Sequence, residues 1–181
     1  YVIILCLFAF LVLIQFNLLT IALGLSSMFL AFSYPFMKRI TYWPQLFLGI
    51  TFNWGIIMAS AALNNTVTTE IIILYLSAIF WTLGYDTIYG AQDMSEDEII
   101  GLKSTSIKFK KNMKLFLSIT YFTTISLILF LLNNHLGLNT STAFLSVFIF
   151  SLIYQIINFK EKKTKKYLQL FKFNNFSGLL L

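Results

Sequence analysis

The chain has one cysteine, one histidine and few charges: Asp, Glu, Lys and Arg make up 11% of its 181 residues. Cys6 stands alone in an apolar run, which excludes a disulfide framework and a cysteine-rich metal site; a buried thiol is the expectation for it. With His135 as the only histidine, a Ser/His/Asp triad has nothing to draw on, and neither an HExxH motif nor a P-loop occurs. Soluble domains carry about a quarter charged residues. A charged share of 11% and a mean hydropathy of +0.80 therefore exclude one here. No sustained period of two runs through the apolar stretches, which argues against an outer-membrane barrel. The net charge of +6 does not indicate nucleic acid, because the basic residues, all but Lys172, are confined to three connections.

The chain opens YVIILCLFAFLVLI, without the n-region and cleavage site of a signal peptide, and closes FSGLLL within an apolar stretch. The expectation from both ends is a piece of a longer polytopic protein.

What the chain has in abundance is apolar length. A bilayer core takes about 20 apolar residues as helix. Six segments qualify, at roughly 1–16, 18–37, 44–63, 68–86, 114–133 and 140–159, and a seventh begins near Tyr167. Backbone groups in lipid must be satisfied internally, so the expected fold is all-α: a polytopic transmembrane helix bundle and a single membrane domain over 1–181.

The connections alternate in charge. Lys38 and Arg39 fall in the second. Lys103, Lys108, Lys110, Lys111 and Lys114 fall in or at the edge of the fourth, and Lys160, Lys162, Lys163, Lys165 and Lys166 in the sixth. The first, third and fifth have no Lys or Arg, so the positive-inside rule puts the even connections in the cytoplasm. Residues 38–39 and 85–105 thus share one side of the membrane.

The stretch YDTIYGAQDMSEDEIIGLKST at 85–105 holds five of the seven acidic residues. Asp86, Tyr89, Asp93 and Asp97 follow steps of 3, 4 and 4, which on a continuing helix line one face; Glu96 and Glu98 point elsewhere. Like charges so spaced repel, and something positive should offset them. Hard oxygen ligands with room for water and phosphate suit Mg²⁺, and Lys103, after a turn at Gly101, suits phosphate. The plainer alternative is a solvated loop whose acids lie near its own lysines.

The second stretch is SYPFMKRITYWPQ at 33–45. Pro35 suggests a local kink, and Tyr34 and Lys38 are four apart. Lys38 and Arg39 sit where an anion at the cytoplasmic surface would meet them. The plainer alternative is a positive-inside marker with Tyr34 in the aromatic belt. Asn53, inside the third span, is a candidate for lining a cavity.

YPFMKR at 34–39 and the 85–105 block resemble the UbiA family of intramembrane aromatic prenyltransferases, as does the intervening PQLFLGITFNWGIIMASAA. The likeness runs from about residue 10 to the end and is nearest to the hydroxybenzoate branch. It implies a bundle of about nine transmembrane helices around a cavity open to lipid, of which this chain would supply roughly the C-terminal two-thirds. It implies Mg²⁺-dependent transfer of a polyprenyl group from polyprenyl diphosphate to the ring of 4-hydroxybenzoate, a step of ubiquinone synthesis, in a bacterial or mitochondrial inner membrane. It also implies residue roles. Asp93 and Asp97 match the second aspartate-rich motif and would hold Mg²⁺. Tyr34 and Lys38 match the family's Tyr-x-x-x-Lys motif, and Arg39 a functional arginine. Lys103 matches a basic residue near the diphosphate, and Asp86 the acid of the YDTxYA block.

The family's first aspartate-rich motif is absent, since Asp86, Asp93 and Asp97 are the only aspartates; the 181 residues alone are expected to be inactive. Two alternatives remain at this stage: another aromatic acceptor, or a transporter of a phosphorylated ligand or divalent cation, for which inverted repeats and helices broken at mid-membrane would be the sign.

Overall fold

The protein is described here from a computed structural model covering residues 1–137, 139–159 and 164–180, without the side chains of His135, Thr164 and Lys165. Lys160, Lys162 and Lys163 of the sixth connection lie outside the described residues.

The described residues are helical, with no strand among them. In order they are α1 (Val2–Leu13), α2 (Leu18–Ser33), α3 (Met37–Ile40), α4 (Pro44–Phe52), α5 (Trp54–Asn64) and α6 (Thr69–Gly90). Then come α7 (Met94–Ile100), α8 (Thr105–Lys108), α9 (Met113–Leu132), α10 (Thr140–Asn158) and α11 (Thr164–Gly178). Five stretches are long and apolar enough to cross a membrane: Leu18–Ile40, Pro44–Asn64, Thr69–Gly90, Met113–Leu132 and Thr140–Asn158. The expected helix bundle is present, and the protein is an integral membrane protein. The first expected span holds α1, a helix of 12 residues, shorter than a bilayer core requires. None of its residues is buried, so Cys6 is exposed rather than buried as expected: α1 touches the bundle only lightly, through α2.

α6 is the most enclosed span and packs most extensively on α9, then on α4 and α11. Gly84 makes the α6–α9 approach possible. A Cβ there would collide with the Tyr121 ring and come within 2.9 Å of Thr120 Oγ1. Small residues at crossings are how membrane helices gain close packing where lipid gives no hydrophobic drive.

The polar groups inside the bundle are paired. Tyr121 donates to Gln155 Oε1 at 2.8 Å, Gln155 and Asn174 exchange amide bonds at 3.1 Å, and Trp81 Nε1 donates to Asn174 Oδ1 at 3.1 Å. This network ties α11, too short to be one of the five spans, to α6, α9 and α10. At the end opposite the charged connections, Asn17 caps α2 by accepting from Thr20 N–H at 2.9 Å and donates to Ala61 O at 2.6 Å. The first and third connections therefore meet at one end, as their shared lack of charge requires.

Two expected helices are broken. The third span is interrupted at Asn53, between α4 and α5. The fourth does not run on through the acidic stretch.

Candidate functional site

The expectation of one continuous helix carrying Asp86, Tyr89, Asp93 and Asp97 is incorrect. α6 ends at Gly90, where Ala91 N–H bonds both Thr87 O and Ile88 O and Gln92 N–H bonds Tyr89 O, the tightened pattern of a closing helix. The chain restarts at Asp93, the N-cap of α7. The physical reason is local. Asp and Ser favour caps over helix interiors, and 93–97 carries three acids that a continuous helix would repel along its length.

α7 ends as the glycine at 101 suggests. Gly101 takes φ +80, its N–H bonds Glu98 O at 3.2 Å, and Leu102 N–H bonds Asp97 O at 2.8 Å, a Schellman closure. The chain then turns back, and Lys103 N–H donates to Lys38 O at 2.8 Å. Residues 38 and 103 are thus joined through the backbone.

The side chains follow. Lys38 Nζ lies 3.5 Å from Asp97 Oδ2, across 59 residues of sequence. Asp97 is buried, Asp93 is exposed, and the Asp93 side chain makes no capping bond. Asp86, near the end of α6 and half-buried, is within electrostatic range of Lys38, and the Tyr34 phenol is within range of Asp86. Tyr34 opens the turn Tyr34–Phe36, which Pro35 initiates, and α3 continues from it. Lys103 Nζ bonds Ile40 O at 3.1 Å and lies over the Tyr42 ring. Arg39 is exposed and makes no bond to these groups. Glu96 and Glu98 face outward as expected, with Glu98 paired to Lys110 at 2.6 Å. Six of the seven expected site residues thus gather at one end of the bundle, with Arg39 beside them on the surface.

The carboxylates fit a hard divalent cation in part. Asp93 and Asp97 sit one turn apart on α7, and the one partner of Asp97 is at 3.5 Å, longer than the 2.7–2.9 Å of a strong charged bond. Asp93 is exposed, whereas Asp97 has only 10% of its side chain exposed and would exchange Lys38 for a metal that takes its remaining ligands from water or phosphate. Among the described residues no group of three carboxylate, His or Cys side chains converges.

Below this end lies a cavity of about 280 Å³ lined by Asn53, Trp81, Thr82, Tyr85, Phe171 and Asn174, among others. Asn53, proposed from sequence as a cavity residue, is indeed there. Its Nδ2 bonds Gly49 O at 2.8 Å and Thr82 Oγ1 at 2.9 Å, which satisfies the break in the third span. Trp81, Tyr85 and Tyr89 recur every four residues along α6, and both tyrosines pack on Phe171. The amide of Asn174 and the aromatic line along α6 were not singled out from sequence. No signal in the sequence separates Asn174 from the other polar residues of its segment, Gln169, Lys172 and Asn175.

The geometry defines a membrane-embedded helical bundle with an acidic and basic cluster at one end over an aromatic cavity. The sequence profile of the UbiA prenyltransferase family matches residues 1–176; the chain belongs to that family. Its fold is similar to that of a UbiA homolog from Aeropyrum pernix K1, with a TM-score of 0.68, 20% identity, and coverage of 93% of this chain and 66% of that one. The human mitochondrial 4-hydroxybenzoate polyprenyltransferase is 49% identical over 108 residues, which are 59% of this chain and 29% of that protein. The Arabidopsis thaliana counterpart is 48% identical over 108 residues, 59% of this chain and 26% of that protein. 4-Hydroxybenzoate geranyltransferase 1 of Lithospermum erythrorhizon is 49% identical over the same length, 35% of that protein. The matched stretch thus spans about a third or less of these curated relatives. The break at Asn53 is a feature the transport alternative called for, but its polar groups are paired within the bundle, and the family is one of prenyltransferases.

Proposed function

We propose that the intact protein transfers a polyprenyl group from its diphosphate to the ring of 4-hydroxybenzoate, in the manner of the relatives named above, and so serves ubiquinone synthesis. The observation that carries this reading is the meeting of Lys38 with Asp97 at 3.5 Å while Lys103 is tied to the Lys38 carbonyl at 2.8 Å. This brings one ammonium to an α7 carboxylate and holds the backbone of a second lysine beside it, with the Lys103 ammonium resting on Ile40 O; a metal-bound diphosphate needs carboxylates and cations gathered in this way.

Asp93 and Asp97 would hold Mg²⁺, which supplies Lewis-acid withdrawal of charge from the departing diphosphate. Lys38 and Lys103 stabilise the same developing charge as fixed ammonium groups, a preorganised arrangement that needs no reorganisation when the C–O bond breaks. Arg39, exposed beside them, offers a forked donor to an oxyanion. Tyr34 presents a phenol O–H to the cluster, and Asp86 holds Lys38 in its field. Diphosphate leaves the allylic carbon, the ring carbon ortho to the phenol hydroxyl forms the new C–C bond, and the ring then loses its proton. The faces of Trp81, Tyr85 and Tyr89 suit an allylic cation, and the bundle keeps water from it. Alternation of basic connections supports a site facing the cytoplasm or matrix of an inner membrane. The 181 residues are read as one membrane domain forming the C-terminal part of the enzyme.

The test uses membranes holding the intact gene product, supplied with 4-hydroxybenzoate and a polyprenyl diphosphate, with Mg²⁺ or with EDTA. Mg²⁺-dependent prenylated acid is the expected product. Turnover of a different aromatic only would move the protein to another branch, and no turnover of any acceptor would overturn the reading.

A further inference from the structure

The loop that delivers Lys103 is held from below by a knot of buried hydroxyls and one amide. Ser104, Thr105, Ser106 and Thr87 are fully buried, and Gln45 is 3% exposed, at a membrane-protein end otherwise open to solvent. Three of their bonds join one element to another. Thr105 N–H donates to Gln45 Oε1 of α4 at 2.9 Å. Thr105 Oγ1 lies 2.7 Å from Thr87 Oγ1 of α6. Ser106 Oγ donates to Thr87 O at 2.8 Å. The direction of the hydroxyl pair follows from proton count. Thr87 Oγ1 spends its one proton on Leu83 O at 2.7 Å, so Thr105 is the donor and Thr87 the acceptor. Gly90 completes the knot, since a Cβ there would come within 2.8 Å of Ser106 Oγ and 3.0 Å of Gln45 Nε2.

Satisfied polar groups in a dry site hold one geometry, because breaking any bond leaves a buried orphan. The held object is short. Between Asp97, whose carbonyl receives Leu102 N–H, and Thr105, latched to α4 and α6, lie seven residues that include Lys103. Lys103 in turn holds the Lys38 carbonyl, and Lys38 pairs with Asp97. We infer that Gln45, Thr87 and Thr105 are positioning residues: a buried latch that sets the separation between the two lysines and the α7 carboxylates, and through it the grip on the donor's diphosphate. This rests on the prenyl-transfer reading above. None of the three touches the diphosphate, and none faces the aromatic cavity, so the latch acts on donor binding and leaves the acceptor alone.

Thr105→Val is the discriminating substitution. It keeps shape and leaves Thr87 satisfied by Leu83 O, whereas Thr87→Val would orphan the Thr105 hydroxyl. In the intact enzyme, Thr105→Val is expected to raise KM for the polyprenyl diphosphate about tenfold, since small misplacements of binding groups are costly. KM for the aromatic acceptor stays unchanged. Amide exchange at 102–105 speeds up, and Thr105→Ser, which restores the hydroxyl, returns both readouts to the parent values. If Thr105→Val lowers only the folded yield or melting temperature, with neither KM nor local exchange moved, the latch is structural and the inference falls. An equal rise in both KM values also overturns it. A parent enzyme that turns over no prenyl diphosphate would instead remove the functional reading, and the inference with it.

Discussion

Lys38 Nζ and Asp97 Oδ2 stand 3.5 Å apart although 59 residues separate them, and the backbone of Lys103 bonds the carbonyl of the same lysine. A basic turn after one span and an acidic helix after another form one cluster. The carboxylate is the buried partner and the ammonium the half-exposed one. A long, partly solvated pair of this kind contributes little to stability, which leaves Lys38 free to exchange its carboxylate for a phosphate oxygen.

Asp97→Asn and Asp93→Asn, made separately in the intact protein, are expected to abolish prenyl transfer while membrane insertion and helix content persist. The check is product formation beside circular dichroism of the purified variants. Near-parental turnover in both would remove the carboxylates from the metal site.

Lys38→Met keeps the stem and deletes the charge. Donor KM should rise by at least tenfold or so, the scale of one lost charge-assisted bond, with folding unaffected because the pair is weak. Steady-state kinetics against the polyprenyl diphosphate decide it, and an unchanged KM would dismiss Lys38 as a topology marker.

Gly84→Ala puts a methyl into the Tyr121 ring and against Thr120 Oγ1. Overpacking of this kind costs about 1–3 kcal/mol. Gly55→Ala, where no atom lies within 4 Å, is the control and should be neutral or slightly stabilising. Thermal unfolding in detergent compares the two. Equal melting temperatures would mean that α6 and α9 do not depend on this close approach.

Gln155→Leu strands the Tyr121 hydroxyl inside the bundle and removes the α10 partner of Asn174, whose amide keeps Trp81, Leu170 and Phe171. The loss should be about 1 kcal/mol, as for other polar pairs between membrane helices. The loosened element is α11, so proteolysis between α10 and α11 should quicken. Parental resistance would show that apolar contacts alone hold α11.

Much of this architecture is legible in the sequence. Span lengths follow from hydropathy because lipid demands long apolar helices whatever their neighbours. The alternation of basic connections places residues 38–39 beside 85–105 because an odd or even number of crossings decides the side. Gly101 announces its turn because only a residue without Cβ takes φ +80 comfortably. Periodicity misled at Asp93, where the i, i+4 spacing runs unbroken across a helix end that cap chemistry imposes.

The sequence by itself determined the solvent, five of the six expected spans, the sharing of one end by residues 38–39 and 85–105, and the two motifs that carry the family likeness. Those are properties of composition and short spacing, which act on each segment alone. The tertiary structure decided the gap at Asn53, the burial of Asp97 rather than Asp93, and the joining of Thr105 to Gln45 and Thr87. Each depends on which helix packs beside which. A buried hydroxyl or amide chooses its partner only after packing has removed water, and no local pattern records that choice.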